Sequence, residues 1–189
     1  GVVPLVFNHM LTKVNFKFAT NITDSDIKIT IKSASIADAK SEATLTPAYT
    51  AGAAGSLGTT TFSYTSGTPY ASPVAIPFES AGLTLTTTAV YSKGAGTDSA
   101  DKDFLFVPQE LSDDVKVTVD YTLDQDGVKT DNTATVQLNK AKDTDDALIK
   151  EWHINDFVTY TFIIGLKPIK FTGSVTAWDP VNSGDFVID

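Results

Sequence analysis

Two histidines are the residues of this chain best suited to acid–base or metal chemistry. His9 lies in an apolar stretch and His153 follows Trp152, far away in the sequence. A zinc site needs several ligands at short recurring spacings, and an isolated histidine in a strand is more often a hydrogen-bonded structural residue. Cysteine is absent, which excludes disulfides and thiolate chemistry. We therefore predict no metal site and no catalytic histidine.

Acidic clusters are the other source of possible chemistry, because paired carboxylates catalyse hydrolysis and clustered oxygens bind calcium. The segment Asp124-Gln125-Asp126-Gly127 is the nearest to a calcium loop. It lacks the remaining acidic positions and the distal glutamate, whereas Asp-Gly is a common hairpin turn, so we predict a turn. The other clusters are Asp24/Asp26, Asp98/Asp101/Asp103, Asp113/Asp114 and Asp143/Asp145/Asp146.

Nucleophile and phosphate motifs are missing. No serine sits in a Gly-x-Ser-x-Gly elbow, and no lysine follows Gly52, Gly55 and Gly58 as a phosphate loop requires. All 14 basic residues are lysine, and the net charge is −9. Such a surface repels phosphate, and arginine is the usual bidentate ligand for it. The sequence predicts no catalytic residue, no cofactor, no nucleic-acid partner and no enzyme.

The elements that position these residues are β-strands, because apolar and polar residues alternate with period two. The clearest examples are Val14/Phe16/Phe18, Ile27/Ile29/Ile31, Val115/Val117/Val119/Tyr121/Leu123 and Ile169/Phe171/Val175/Ala177. Gly173 interrupts the last series, which suggests a bulge. Weaker patterns predict strands at 3–7, 43–49, 59–64, 72–78, 83–91, 103–107, 134–138 and 158–164. Alternation of this kind is typical of an antiparallel sheet with one buried face.

Helix is predicted only at 144–152, where Asp143 could cap it and Asp145 and Asp146 suit its dipole. No apolar run is long enough to span a membrane. We expect one β-sandwich domain over residues 1–189. The alternative is two small β units divided near residues 95–103. Because the chain starts directly in strand-forming residues, we expect a processed form of a longer precursor.

Tyrosine and tryptophan residues leave sugar binding open, since flat rings stack on sugar rings. Tyr49, Tyr64, Tyr70 and Trp178 are the candidates, although most aromatics of a β-sandwich serve in packing.

Three sequence blocks resemble the fimbrillin (Mfa-like) family of Bacteroidetes surface pilus subunits, in its carboxy-terminal portion. The blocks run from Pro4 to Phe16, where His9 is the most distinctive residue, from Phe104 to Gln109, and from Tyr160 to Trp178. Their order and spacing agree over most of the chain.

The resemblance implies a transthyretin-like Greek-key β-sandwich, exported as a lipoprotein precursor to the outer membrane and exposed on the extracellular cell surface as part of a fimbria. A neighbouring subunit would supply a strand to an open sheet edge, so the expected partners are other pilin subunits, in a homo- or hetero-polymer. We place assembly in residues 157–189. The candidate assembly residues are Tyr160, Phe162, Ile164, Phe171, Val175, Trp178, Phe186 and Ile188. Asp98-Ser99-Ala100 is similar to a short O-glycosylation motif of these bacteria, with Ser99 as acceptor.

A second interpretation remains open beside the pilin one. The chain could be a carbohydrate-binding surface module or adhesin that does not polymerise, with host or bacterial surface glycans or proteins as partners. It predicts an exposed row of aromatic side chains.

Overall fold

The protein is built almost entirely from β-strands. The computed structural model describes residues 2–3, 6–7, 9–53, 58–78, 82–92, 103–166, 170–178, 181–182 and 186–187. In chain order the strands of these ranges are β1 Val2–Val3, β2 Val6–Phe7, β3 Thr12–Thr20, β4 Ile27–Ala37, β5 Ala43–Thr50, β6 Thr59–Ser66, β7 Val74–Ile76, β8 Leu83–Thr84, β9 Val90–Tyr91, β10 Phe104–Phe106, β11 Gln109–Glu110, β12 Lys116–Gln125, β13 Val128–Gln137, β14 Glu151–Trp152, β15 Asp156–Ile164, β16 Lys170–Ala177, β17 Val181–Asn182 and β18 Phe186–Val187. Helix in the same ranges is limited to a 3-10 turn, Leu138–Lys140. The prediction of an all-β sandwich with very little helix is confirmed.

One layer is ordered β10–β3–β15–β16, with β9 also paired to β3. β3 and β15 run parallel, with Val14 beside Val158 and Phe18 beside Phe162, while the other neighbours are antiparallel. The parallel pair departs from the expected antiparallel arrangement. It is possible because the strands of the second layer come between β3 and β15 in the sequence. The chain therefore returns from β3 to β15 by a crossover connection and not by a hairpin.

The second layer is ordered β13–β12–β4–β7, with β8 also paired to β4, and all its pairs are antiparallel. Asp126 and Gly127 close the β12–β13 hairpin with φ of 51° and 84°. Two positive φ values are what a two-residue type I′ turn requires, so the predicted turn is confirmed.

The inner faces of both layers form one apolar core. The alternation in β3 and β15 is confirmed, since their inward side chains are fully buried. The members of the core from these two strands are Val14, Phe16, Phe18, Val158, Tyr160, Phe162 and Ile164, and those from β4 and β12 are Ile29, Ile31, Ala34, Ile36, Val117 and Val119.

The predicted helix at 144–152 is wrong. Asp143 accepts hydrogen bonds from the N–H groups of Asp145 and Ala147, both at 2.9 Å, which organises a tight turn. A bridge between Lys142 and Leu148 closes that turn. Asp146 has a φ of 64°, which a right-handed helix cannot contain, so the capping signal is real but no helix follows it.

The predicted bulge at Gly173 is also wrong. β15 and β16 pair without a shift through Tyr160 and Gly173. A side chain at Gly173 would overlap Ile149, which is buried against this position. The glycine therefore serves close approach of a neighbouring segment.

The predicted strand at 83–91 divides into β8 and β9, which lie in different layers. Between them Leu85 donates its N–H to Ile29 of one layer, and Thr86 accepts from Thr20 of the other, both at 2.9 Å. Each layer also joins a strand that precedes residues 95–103 to one that follows them. These pairs are β3 with β10 in one layer and β4 with β12 in the other. The single-domain organisation stays a prediction.

Candidate functional site

The amino- and carboxy-terminal segments leave the sandwich side by side and are held together at one loop. His9 stacks on Trp178 with ring centroids 3.5 Å apart and an angle of 7°. Asn155 accepts the N–H of His9 at 3.3 Å and, through its backbone carbonyl, the N–H of Trp178 at 2.7 Å. The structural role expected for His9 is therefore a ring stack that fixes the two ends of the chain.

A polar network lies beneath this stack. Lys13 pairs with Asp103 at 2.6 Å, with side chains only 16% and 12% exposed, and its ammonium lies 4.6 Å from the centre of the Phe157 ring. Asn15 donates to the same carboxylate at 2.7 Å and accepts from Thr159 at 2.9 Å. The network is internally satisfied, so it stabilises the fold and offers no group for catalysis.

The predicted assembly residues fall into three environments. Tyr160, Phe162 and Ile164 are fully buried in the core, and Phe171 packs against it. Val175 is 38% exposed, and Trp178 is half-buried against His9. Phe186 lies in β18, opposite Val3 of β1. Ile188 and the predicted glycosylation residue Ser99 lie outside the described residues. The contribution of these residues to assembly stays a prediction.

The hairpin of β5 and β6 projects from the sandwich and is called the arm. Its register places Leu45 opposite Tyr64, Pro47 opposite Phe62 and Tyr49 opposite Thr60. Opposed residues share a face, so the apolar side chains line one side of the arm, and the other side carries threonine and serine. Tyr49 is 69% exposed and Phe62 39%. Neither strand contains a charged residue.

The arm is anchored at its base. Tyr64 donates its hydroxyl to the carbonyl of Trp152 at 3.2 Å, and Trp152 is fully buried. Burial, and then the nearby Glu151 and Glu110, raise the pKa of Tyr64 above its usual value. The position of the aromatic row relative to the sandwich is thus fixed by the core.

A concave surface of about 750 Å³, called the groove, opens beside the base of the arm. Its polar lining is Lys40, Ser66, Glu110, Ser112, Asn139, Lys140, Lys150 and Glu151. A second concavity of about 440 Å³ lies along β6 and is lined by Phe62, Tyr64 and the same two glutamates. The two concavities share Ser66, Glu110 and Glu151 in their linings, so they adjoin one another.

The groove contains hydrogen-bonding groups without partners. Lys140 pairs with Asp113 at 2.9 Å, but Lys40, Lys150 and Glu110 form no ion pair with any described residue. Asn139 donates to the carbonyl of Leu111 and to Asp113, at 3.2 and 2.7 Å. Its own Oδ1 is buried and has no donor in the described part of the chain. Because such an acceptor is costly to leave unpaired, a buried water is the donor expected there.

His153 contacts two carboxylates, of which Glu151 also lines the groove. Its Nε2 lies 2.9 Å from Glu151, and its Nδ1 lies 3.0 Å from Asp156. Burial lowers its pKa, but the hydrogen bond and charge of Asp156, together with Glu151, outweigh burial and raise the pKa above its usual 6.5. The carboxylates favour the imidazolium form.

We expect this ion pairing to make stability depend on pH. Because the folded pKa is raised, the stabilisation by His153 is complete below pH 6.5 and is lost as pH rises through the folded pKa. NMR titration of the His153 ring should give a pKa above the free-histidine value. Asp156→Asn should lower it, and the same substitution at Asp131, remote from the ring, should not. A wild-type pKa at or below 6.5 would contradict this arrangement.

No group of three or more histidine or acidic side chains in the described ranges could hold a metal ion. The described members of the acidic clusters serve turns and ion pairs, as Asp24 does for the N–H of Asp26. Asp98 and Asp101 lie outside the described residues. None of the helical structure described is long and apolar enough to cross a membrane.

Sequence reasoning missed the groove, although it named Tyr49 and Tyr64. The groove lysines and glutamates come from four separate stretches, and no local spacing connects them. One sequence feature could have indicated a binding surface here. The predicted strands 43–49 and 59–64, which form the arm, alternate apolar and hydroxyl residues and contain no charged residue.

Comparison with known proteins places this fold in a family. The sequence profile described as fimbrillin-like matches residues 1–178. A fimbrial protein from Bacteroides vulgatus has a similar fold, with a TM-score of 0.55 at 12% identity over 92% of this chain and 56% of that one. A candidate cell adhesion protein from Bacteroides uniformis gives a TM-score of 0.48 at 15% identity, over 92% and 52% of the two chains. This chain therefore spans about half the length of these solved structures. Comparison with curated proteins gives no significant match. The chain belongs to the fimbrillin-like family.

Proposed function

We propose that this chain is a structural subunit, or an accessory or tip component, of a bacterial cell-surface fimbria. Subunits assemble by addition of a strand from one subunit to the sheet edge of the next, and the fibre supports adhesion. The role is not enzymatic. Membership of the fimbrillin-like family and the all-β sandwich support this proposal.

The observation that carries the proposal is the pairing of the two chain ends outside both layers. β1 pairs only with β18, and β2 only with β17, in the part of the chain that the structure describes. Each ladder has two residues per strand. An isolated two-stranded ladder this short is marginally stable in water. Replacement of one strand by a strand from another copy therefore costs little, and it preserves the backbone hydrogen bonds.

β16 offers a second edge for strand addition. It is the last strand of its layer among the described residues, and the carbonyl of Lys142 caps its middle by accepting the N–H of Gly173 at 2.9 Å. Beyond this contact Val175 is 38% exposed. Head-to-tail addition at such an edge does not close on itself, so it produces a filament.

Deletion of residues 184–189 tests the proposal in the bacterium that makes the full-length protein. We expect the variant to remain folded and to reach the surface, but to give no fibres by electron microscopy with an antibody to this chain. Val128→Ser, which alters an exposed apolar residue at the β12–β13 turn, is the control and should leave fibres unchanged. Fibres at wild-type yield in the deletion variant would exclude the carboxy-terminal assembly role.

The second candidate function, a surface module that binds carbohydrate without polymerising, is favoured by the arm and the groove. Both features lie on a single copy of the chain, so the two functions can be tested separately.

A further inference from the structure

We propose that the groove and the apolar face of the arm form one binding site for an uncharged oligosaccharide. This goes beyond strand-addition assembly, because all the residues involved belong to one copy of the chain and none lies in the terminal strands.

The site is extended, because its two concavities adjoin at shared residues. Glu110 and Glu151 are directly opposed in the β11–β14 pair, and both line the groove and the concavity along β6. From this junction Phe62 and then Tyr49 continue along one face of the arm. The result is a polar recess that opens onto a row of aromatic rings, which suits an elongated ligand with both apolar and polar surface.

The unpaired groups of the recess identify the chemistry of the ligand. Lys40 and Lys150 have no ionic partner among the described residues and can only donate hydrogen bonds. Glu110 has no ionic partner among these residues either, and its carboxylate can only accept them. A carboxylate or a fully ionised phosphate has no proton to donate, so it would satisfy the lysines and leave Glu110 without a partner. An ammonium ligand would leave the lysines unsatisfied. A hydroxyl group donates and accepts, so a polyhydroxylated ligand satisfies both sets.

The aromatic row supplies the second requirement of saccharide binding. Pyranose rings present apolar C–H faces, which pack on exposed aromatic rings in the way other flat apolar surfaces do. Phe62 is 39% exposed and Tyr49 69%, and no charged side chain belongs to either strand of the arm. An apolar peptide would cover the aromatic row but would leave Lys40, Lys150 and Glu110 without partners.

The test uses the full chain at a concentration where light scattering shows a monomer. It is applied to an array that carries uncharged mannose-, galactose-, glucose- and N-acetylhexosamine-terminated oligosaccharides beside sialylated and sulfated ones. We expect binding to members of the uncharged set. The strongest of these is then titrated into isotopically labelled protein, where amide shifts should cluster at β6, β11 and β14.

Matched variants locate the site. Phe62 and Tyr70 are both 39% exposed, but Tyr70 lies outside the groove and the arm. Phe62→Ala should weaken binding of that oligosaccharide about tenfold or more, whereas Tyr70→Ala should leave it unchanged. Glu110→Gln keeps the shape but removes the charge-assisted acceptor, and it should weaken binding by a similar factor.

Several results would overturn the proposal. They are binding to no uncharged glycan, binding only to acidic glycans with loss in Lys150→Ala, or equal affinity of wild type and Phe62→Ala. Equal losses in Phe62→Ala and Tyr70→Ala would also overturn it. Fibre formation is an independent measurement, since Phe62→Ala is expected to form fibres normally. A negative result for glycan binding therefore does not contradict strand-addition assembly. Likewise, a negative result for fibre formation does not contradict glycan binding.

Discussion

Trp152→Ala is expected to lower the free energy of unfolding by about 3–5 kcal/mol, the usual cost of truncating a buried aromatic side chain. Trp152 is fully buried, and its ring centre lies 5.0 Å from that of Phe106. Its Nε1–H donates to the hydroxyl of Tyr160 at 2.9 Å. Alanine removes the packed volume and also leaves that buried hydroxyl with one partner fewer.

Chemical denaturation followed by far-ultraviolet circular dichroism measures this loss. Trp152→Phe retains most of the apolar volume and should cost clearly less. Tyr160→Phe removes only the acceptor, so it should cost about 1–3 kcal/mol, which is the penalty for an unsatisfied buried donor. Because the two residues are in contact, their effects should not add in the double variant. An unfolding free energy unchanged in Trp152→Ala would contradict the assigned burial.

The strands that carry the core could be predicted from the sequence. Alternation correctly gave β3, β4, β12 and β15, because each has one face on the core and period two follows directly from strand geometry. The alternation in β4 contains a discontinuity that the sequence also shows. Buried positions are odd-numbered at Ile29 and Ile31 but even-numbered at Ala34 and Ile36. The register shift opposite Asp120 and Tyr121, a bulge at Lys32, accounts for it.

Features that depend on contacts between distant segments could not be predicted in this way. The side chain of Asp143 accepts a backbone N–H, as a helix cap does, but the bridge between Lys142 and Leu148 closes this segment into a turn. Gly173 looked like a bulge because nothing in its own strand indicates that Ile149 packs against it. The groove is of the same kind, since Lys40 and Lys150 converge only after the strands have paired. Local patterns fix the elements, whereas the sites between them arise from packing.

The ion pair of Lys13 with Asp103 gives the second large expected effect. Asp103→Ala should lower the free energy of unfolding by about 3 kcal/mol, which is typical when one partner of a buried pair is removed. The ammonium of Lys13 would remain beside Phe157 and Trp178, and Asn15 would lose the acceptor of its 2.7 Å hydrogen bond. The cost arises from desolvated groups left unpaired more than from the lost attraction.

That origin can be tested by removing both charges. The double variant Lys13→Met with Asp103→Leu should be much more stable than the sum of the single variants predicts, because no unpaired charge remains. Lys32 and Asp131 provide the matched control, since their ion pair has the same length of 2.6 Å but side chains 51% and 68% exposed. Asp131→Ala should therefore have a far smaller effect, because water screens exposed pairs. Equal losses in Asp103→Ala and Asp131→Ala, measured by urea unfolding at the same pH and salt, would show that burial does not govern the strength of these pairs.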